Sequence, residues 1–243
     1  DPEMSRGLGD VYKRQILSWW EKEGRSQGIQ LITISDHGHS EVTEHFNLVP
    51  TLNQAGFSVL TGEDIRNGAD PQQADIIAVG SYTIGLWLKP HIQNKRLTIR
   101  DLLMNTPEVG MIFSQPKNPE NLAIEGQIPG TFSESLLLSH HKRGPDLRII
   151  LANNSKTGLA ICGNDIDVGC GNHGGLLPSE IRSLLAINGS LFSPAKVHQS
   201  PADHGDFAIT LMSLLGLFQE DSTFPVPRLS RILSEALNPS DNE

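Results

Sequence analysis

Cysteine is scarce: Cys162 and Cys170 are the only two in 243 residues. With no CxxC pair, the sequence argues against a structural zinc site. Two thiols eight positions apart leave one disulfide or two free thiols equally open, so the compartment stays open too. Long apolar runs are also missing. None approaches the roughly 18 residues of a membrane span, and residues 208–217, among the longest, carry Thr210 and Ser213. Basic residues are in the minority, with 19 Lys and Arg against 28 Asp and Glu and a net charge of −9. That argues against a nucleic-acid polymer as partner, since the footprint of such a binder is a basic patch. A small phosphorylated substrate stays open, because it needs only local positive charge or a metal. There is no internal repeat and no low-complexity tract. What is present, 37% hydrophobic residues in this length, suffices for one sizeable domain or a large domain with a small insert.

Residues 1–15 (DPEMSRGLGDVYKRQ) lack a core-forming face, and the stretch from Asp10 to Gln15 resembles a translated transposon end of the kind used in preparing sequencing libraries. They are read as a sequencing or assembly scar and left out of fold reasoning. The expectation that follows is a natural protein continuing upstream of Ile16, of which this chain is a C-terminal fragment.

Beyond them, residues 16–25 read as the end of a helix stopped by Gly28, and residues 30–35 (QLITIS) as a buried strand. Residues 48–55 predict a helix ended by Gly56, and 57–60 a strand. The apolar runs 74–79 and 83–89, separated by Gly80-Ser81-Tyr82, predict a hairpin, followed by a helix at 98–104 and a strand at 109–114. Residues 116–130 read as loop, 147–152 and 158–162 as strands, and 165–175 as a Gly-rich loop. Helices are expected at 179–188, with Pro178 and Glu180 favouring its start, at 206–215 before Gly216, and at 228–237 in the tail. Strands alternating with helices argue for an α/β layered fold.

The chemistry concentrates in two places. Ile34-Ser35-Asp36-His37-Gly38 leaves the strand at the sheet edge where ligands bind in open α/β folds. A carboxylate and an imidazole suit a divalent ion, and Gly38 eases a turn that lets both converge. Far downstream, Gly171-Asn172-His173-Gly174-Gly175 frees a histidine to approach a ligand closely. Asp203-His204-Gly205 repeats the first triplet but precedes a helix, so Asp203 or Asp206 reads as its cap or first-turn acid and His204 as exposed. His39 lies near the metal pair, facing it from outside or facing substrate. His45 reads as a surface residue. His140-His141-Lys142-Arg143 reads as a solvated basic turn that an anionic substrate also suits. Cys170, three residues before His173, has too few partners for a Cys/His zinc site.

The two motifs, in this order, resemble the alkaline phosphatase superfamily and most nearly its type I phosphodiesterase/nucleotide pyrophosphatase branch. Ser35-Asp36-His37-Gly38 matches that family's second Asp-His metal motif and Gly171 to Gly175 its late histidine motif. Glu180 with the apolar helix after it, Asn188-Gly189-Ser190-Leu191-Phe192, Arg143-Gly144-Pro145-Asp146-Leu147, and Asp206 to Thr210 with Leu214 to Leu217 fit the surrounding stretches. The likeness runs over residues 17–217.

The resemblance implies a hydrolase of phosphodiester or pyrophosphate bonds with two divalent ions, zinc or else manganese. Asp36 and His37 would bind one ion and His173 the other. The Thr or Ser nucleophile and remaining ligands belong to an upstream half that no stretch here matches, so the fragment is expected to be inactive. A phosphomonoesterase, sulfatase or phosphonate hydrolase of the same superfamily is the nearest alternative, and a non-catalytic ligand-binding α/β domain the next. The implied fold is a three-layer α/β/α sandwich with a mostly parallel central sheet. Its hydrolase core would comprise residues 16–56 and 131–218, with 57–130 as a small appended β-β-α-β module and 219–243 as a tail. Asp36, His37 and His173 should then lie within roughly 10 Å of one another, the span of ions a few Å apart. Apolar surface and sheet edge left uncovered by the absent half should make the chain poorly soluble.

Overall fold

The computed structural model describes residues 2–118, 123–154, 156–193, 197–217 and 230–238, with backbone alone for 2–8. The strands in chain order are β1 (Leu31–Ile34), β2 (Ser40–His45), β3 (Val59–Thr61), β4 (Ile76–Val79), β5 (Thr83–Leu88), β6 (Val109–Ser114), β7 (Phe132–Ser133), β8 (Leu147–Leu151), β9 (Ala160–Cys162), β10 (Gly171–Asn172) and β11 (Leu185–Asn188). The α-helices are α1 (Pro2–Trp19), α2 (Leu48–Gln54), α3 (Gly62–Arg66), α4 (Arg96–Met104), α5 (Pro178–Ile181) and α6 (His204–Leu214). The class is mixed α/β. The chain forms two compact units, Asp1–Asp36 with Ser183–Glu243, and His37–Arg182. No helix among the described residues is long and apolar enough to cross a membrane.

In the first unit, α1 runs through a π-helical turn, Trp20–Gly24, and a 3-10 turn, Arg25–Gln27, to Gly28 with φ 74°. The helix therefore includes the residues read as a scar. Val11, Tyr12, Ile16, Leu17 and Trp19 are exposed, while Trp20 is buried and its indole N–H donates to the Ile29 carbonyl at 2.8 Å. β1 pairs antiparallel with β11, Leu31 opposite Asn188 and Ile34 opposite Leu185, as a two-stranded sheet. Two expectations need correction here. β1 is not a buried strand: Leu31 and Ile32 are half-buried and Thr33 and Ile34 exposed, because β11 is its one partner among the described residues. The helix expected over 179–188 stops at Ile181, since Arg182 turns extended at ψ 112°. The backbone groups that follow are satisfied by β1 instead, helped by Ser35, whose N–H donates to Leu184 O and whose Oγ accepts from Leu184 N–H. α6 starts two residues earlier than expected, under a reciprocal capping box of Asp203 and Asp206. Of the helix read at 228–237, residues 228–229 lie outside the described ones, and a 3-10 turn spans Ser234–Ala236.

The second unit holds the main core. Its six-stranded sheet has the order β3-β4-β5-β8-β6-β7. The expected hairpin is β4 and β5, paired from Ile76 opposite Leu88 to Val79 opposite Gly85. Gly80 makes its turn at φ 101°, where a Cβ would collide with the Thr83 carbonyl. α4 and β6 follow, and β8 enters between β5 and β6, antiparallel to both. The sheet thus draws strands from both sides of residue 130. Its pairings correct the mostly parallel sheet: three of its five are antiparallel, as are five of the eight strand pairings among all the described residues. The three-residue β4–β5 connection permits nothing else, because a parallel return needs a long crossover. Leu52, Ile76, Leu86, Ile99, Leu103, Leu147 and Ile149 are fully buried. Truncating one such Leu to Ala typically costs about 2–5 kcal/mol. A smaller three-stranded sheet, β10-β2-β9, carries the residues of interest.

Candidate metal centre

The three-stranded sheet sets the geometry of the site. β10 runs antiparallel to β2, with Gly171 opposite Glu41 and Asn172 opposite Ser40. One further step in that register brings His173 to His39, and alternation along the extended chain puts His37 on the same side as His39. The rings of His37 and His173 stack with centroids 3.8 Å apart and planes 25° apart. His39 stands edge-on to both, at 5.1 Å from each. One nitrogen from each of the three histidines lies within 4.8 Å of the other two. His37 is half-buried, and His39 and His173 are exposed.

These residues fit a divalent ion in donor chemistry and nearly in spacing. Imidazole nitrogens suit zinc and its neighbours. In a tetrahedral site with zinc–nitrogen distances of about 2.0–2.1 Å, donors lie about 3.4 Å apart, so the set closes around one ion only when the stacked rings turn and draw together. His37 Nδ1 is 2.8 Å from the Gly38 carbonyl. Donation by Nδ1–H to that oxygen leaves the lone pair of the neutral ring on Nε2, the form that binds metal.

Both arms of the cluster are anchored. The Gly38 N–H donates to the Glu180 carbonyl at 2.8 Å, and a side chain at Gly38 would overlap the Ser179 carbonyl. Ser40 Oγ and Ser179 Oγ share a hydrogen bond at 2.5 Å. On the other arm, Asn172 accepts the His173 N–H at 2.8 Å and gives its amide N–H to Cys162 Sγ at 3.0 Å. Thr83 Oγ1 donates to the Gly174 carbonyl. Burial pushes the Cys162 thiol up and, with the Glu180 carboxylate, pushes the Tyr82 phenol up.

Of the residues singled out in the sequence, His37 and His173 meet. Asp36 is exposed in the bend after β1, ends the first segment of the first unit and is not one of the three clustered histidines. His39, read as an outer or substrate-facing neighbour, is its third member. The signal for it was the His-Gly-His alternation, which gives His37 and His39 one face. His45, at the exposed end of β2, has Nε2 2.7 Å from the Ile166 carbonyl. His141 Nδ1 accepts the Arg143 N–H at 3.1 Å, as in a local turn. The second Asp-His-Gly behaves as a cap: Asp203 accepts the Asp206 N–H at 2.9 Å, and exposed His204 donates from Nε2 to the Ser35 carbonyl. Both cysteines are free, with Cys162 buried and Cys170 exposed. Comparison with protein-family models, with curated proteins and with solved structures finds no match to this chain.

Proposed function

We propose that this chain carries metal ligands of a hydrolase acting on small phosphate esters, of the kind found in the alkaline phosphatase superfamily. The observation that carries the reading is the meeting of His37 and His173. They lie 136 positions apart in the sequence, and their rings stack at 3.8 Å. His37, His39 and His173 supply nitrogen donors. Asp36, beside His37 in the chain, is carried by the resemblance alone. The layered three-tier fold is part of the same proposal and rests on motif order.

Divalent ions, when bound, polarise a phosphoryl oxygen and lower the pKa of an attacking hydroxyl. The contribution of this chain is to hold the donors: Gly38 and Asn172 fix the two backbone arms, and the His37–Gly38 hydrogen bond sets one tautomer. Phosphoryl transfer depends mainly on positioning and charge stabilisation. A chain with these ligands and no assigned nucleophile binds the metal without turning over substrate.

The test combines zinc titration by calorimetry with hydrolysis of a chromogenic phosphodiester. The 243-residue chain should bind zinc, lose affinity about tenfold or more in His37→Ala and His173→Ala, and show no turnover of the ester on its own. Zinc affinity indifferent to both substitutions, or robust turnover by the 243-residue chain, contradicts the reading.

A further inference from the structure

Glu180 is 2% exposed, and its two carboxylate oxygens have different surroundings. Oε1 accepts the Tyr82 O–H at 2.7 Å. Oε2 is buried and has no hydrogen-bond partner among the described residues. A buried polar oxygen left without a partner is costly, so its retention calls for a local reason. That reason lies at Gly175, two residues after His173. A Cβ on Gly175 would come within 2.5 Å of both Glu180 Oε2 and the Tyr82 hydroxyl. The bare glycine backbone therefore lies directly against this carboxylate–phenol pair.

The pair also touches the other histidine arm. The Glu180 main-chain carbonyl accepts the Gly38 N–H, between His37 and His39. Its neighbour Ser179 bonds Ser40, and Thr83, next to Tyr82, bonds the Gly174 carbonyl. One buried unit thus grips the 37–40 segment and the 172–175 turn together. Tyr82 is 3% exposed, and burial beside the Glu180 carboxylate pushes its phenol pKa up.

We propose that Glu180 and Tyr82 are positioning residues, a buried carboxylate–phenol pair that sets the spacing of His37, His39 and His173 by pinning both backbone arms. The inference rests on the metal-site reading for its purpose, but its geometry is measurable without metal. Neither residue is among the proposed ligands; both side chains act through Gly175, and Glu180 reaches Gly38 by its main-chain carbonyl.

The experiment uses the whole 243-residue chain with labelled histidines, as wild type, Tyr82→Phe, Glu180→Gln and Glu180→Ala. Circular dichroism establishes folding. Tyr82→Phe, which removes one hydroxyl, keeps the test available where Glu180→Ala does not fold. The first readout is the ring-current shift that stacking gives the His37 and His173 ring protons in metal-free protein. The second is cobalt(II) affinity and the visible spectrum of bound cobalt(II). Tyr82→Phe and Glu180→Ala should lose the ring-current shift, weaken cobalt(II) binding about tenfold and alter its spectrum. Glu180→Gln, which keeps an acceptor for Tyr82, should retain all three. A folded Tyr82→Phe with an unchanged ring-current shift overturns the proposal, as does a wild type that shows no such shift. A wild type with the shift but no cobalt(II) binding overturns the metal-site reading instead, and the positioning role is then decided by the ring protons alone.

Discussion

His39 stands opposite His173 because it lies one step beyond the pairing of Ser40 with Asn172. The step brings the edge of one imidazole to the face of the other at 5.1 Å. Three donors thus come from two short segments, with no donor required from a helix. On this geometry, His39→Ala should weaken zinc binding about as much as His37→Ala, by about tenfold or more. Calorimetric titration of both variants checks it. Full affinity in His39→Ala would return His39 to the role of a neighbour.

Gly38 has no room for a side chain. A Cβ there would overlap the Ser179 carbonyl and lie 3.2 Å from that of Arg182, both backbone atoms that cannot rotate away. Gly38→Ala should therefore destabilise the second unit by about 1–3 kcal/mol, the usual cost of overpacking. Zinc affinity should fall with it, because the shift moves His37 against His39. Urea unfolding monitored at Trp87, which lies in β5, measures the first effect.

The second Asp-His-Gly should answer differently from the first. Asp203→Ala removes a capping-box acceptor from α6 and should cost about 1 kcal/mol, while leaving zinc affinity unchanged. A drop in affinity would show that the repeat takes part in metal binding.

The cysteines flank β2 on opposite sides. Val42 donates its N–H to the Cys170 carbonyl, while His45 of the same strand is registered with Cys162. Two strand spacings of about 4.8 Å put them beyond the roughly 7 Å limit for a disulfide. Cys170 should react quickly with a thiol reagent and Cys162 slowly until the chain unfolds. Burial disfavours the Cys162 thiolate, so its reaction should accelerate only at a pH above that needed by an ordinary thiol. Mass spectrometry under non-reducing conditions should find no bond between them.

The sequence disclosed those parts of the site whose signal is local. His173 is flagged by its flanking glycines, and His37 by its place after a β-branched run. His39 required reading the alternation past Gly38. β2 itself was missed because Ser40-Glu41-Val42-Thr43-Glu44-His45 contains one strongly apolar residue, Val42. That residue is fully buried against a partner strand more than a hundred positions away. Leu185-Ala186-Ile187-Asn188 alternates half-buried and exposed, a strand pattern obscured by the strong helix-start signal of Pro178 and Glu180. The β4–β5 hairpin was legible because its turn is three residues long. The insertion of β8 between β5 and β6 was not, since sheet order depends on pairings that no local window contains.

X-ray absorption at the zinc edge counts imidazole ligands and so decides whether these histidines hold a metal. The wild-type chain loaded with one equivalent of zinc should show a nitrogen shell at about 2.0–2.1 Å with the scattering of three imidazoles. His37→Ala and His173→Ala should each lose one. A shell without imidazole scattering, or one unchanged in both variants, would contradict the assignment of these histidines to a metal.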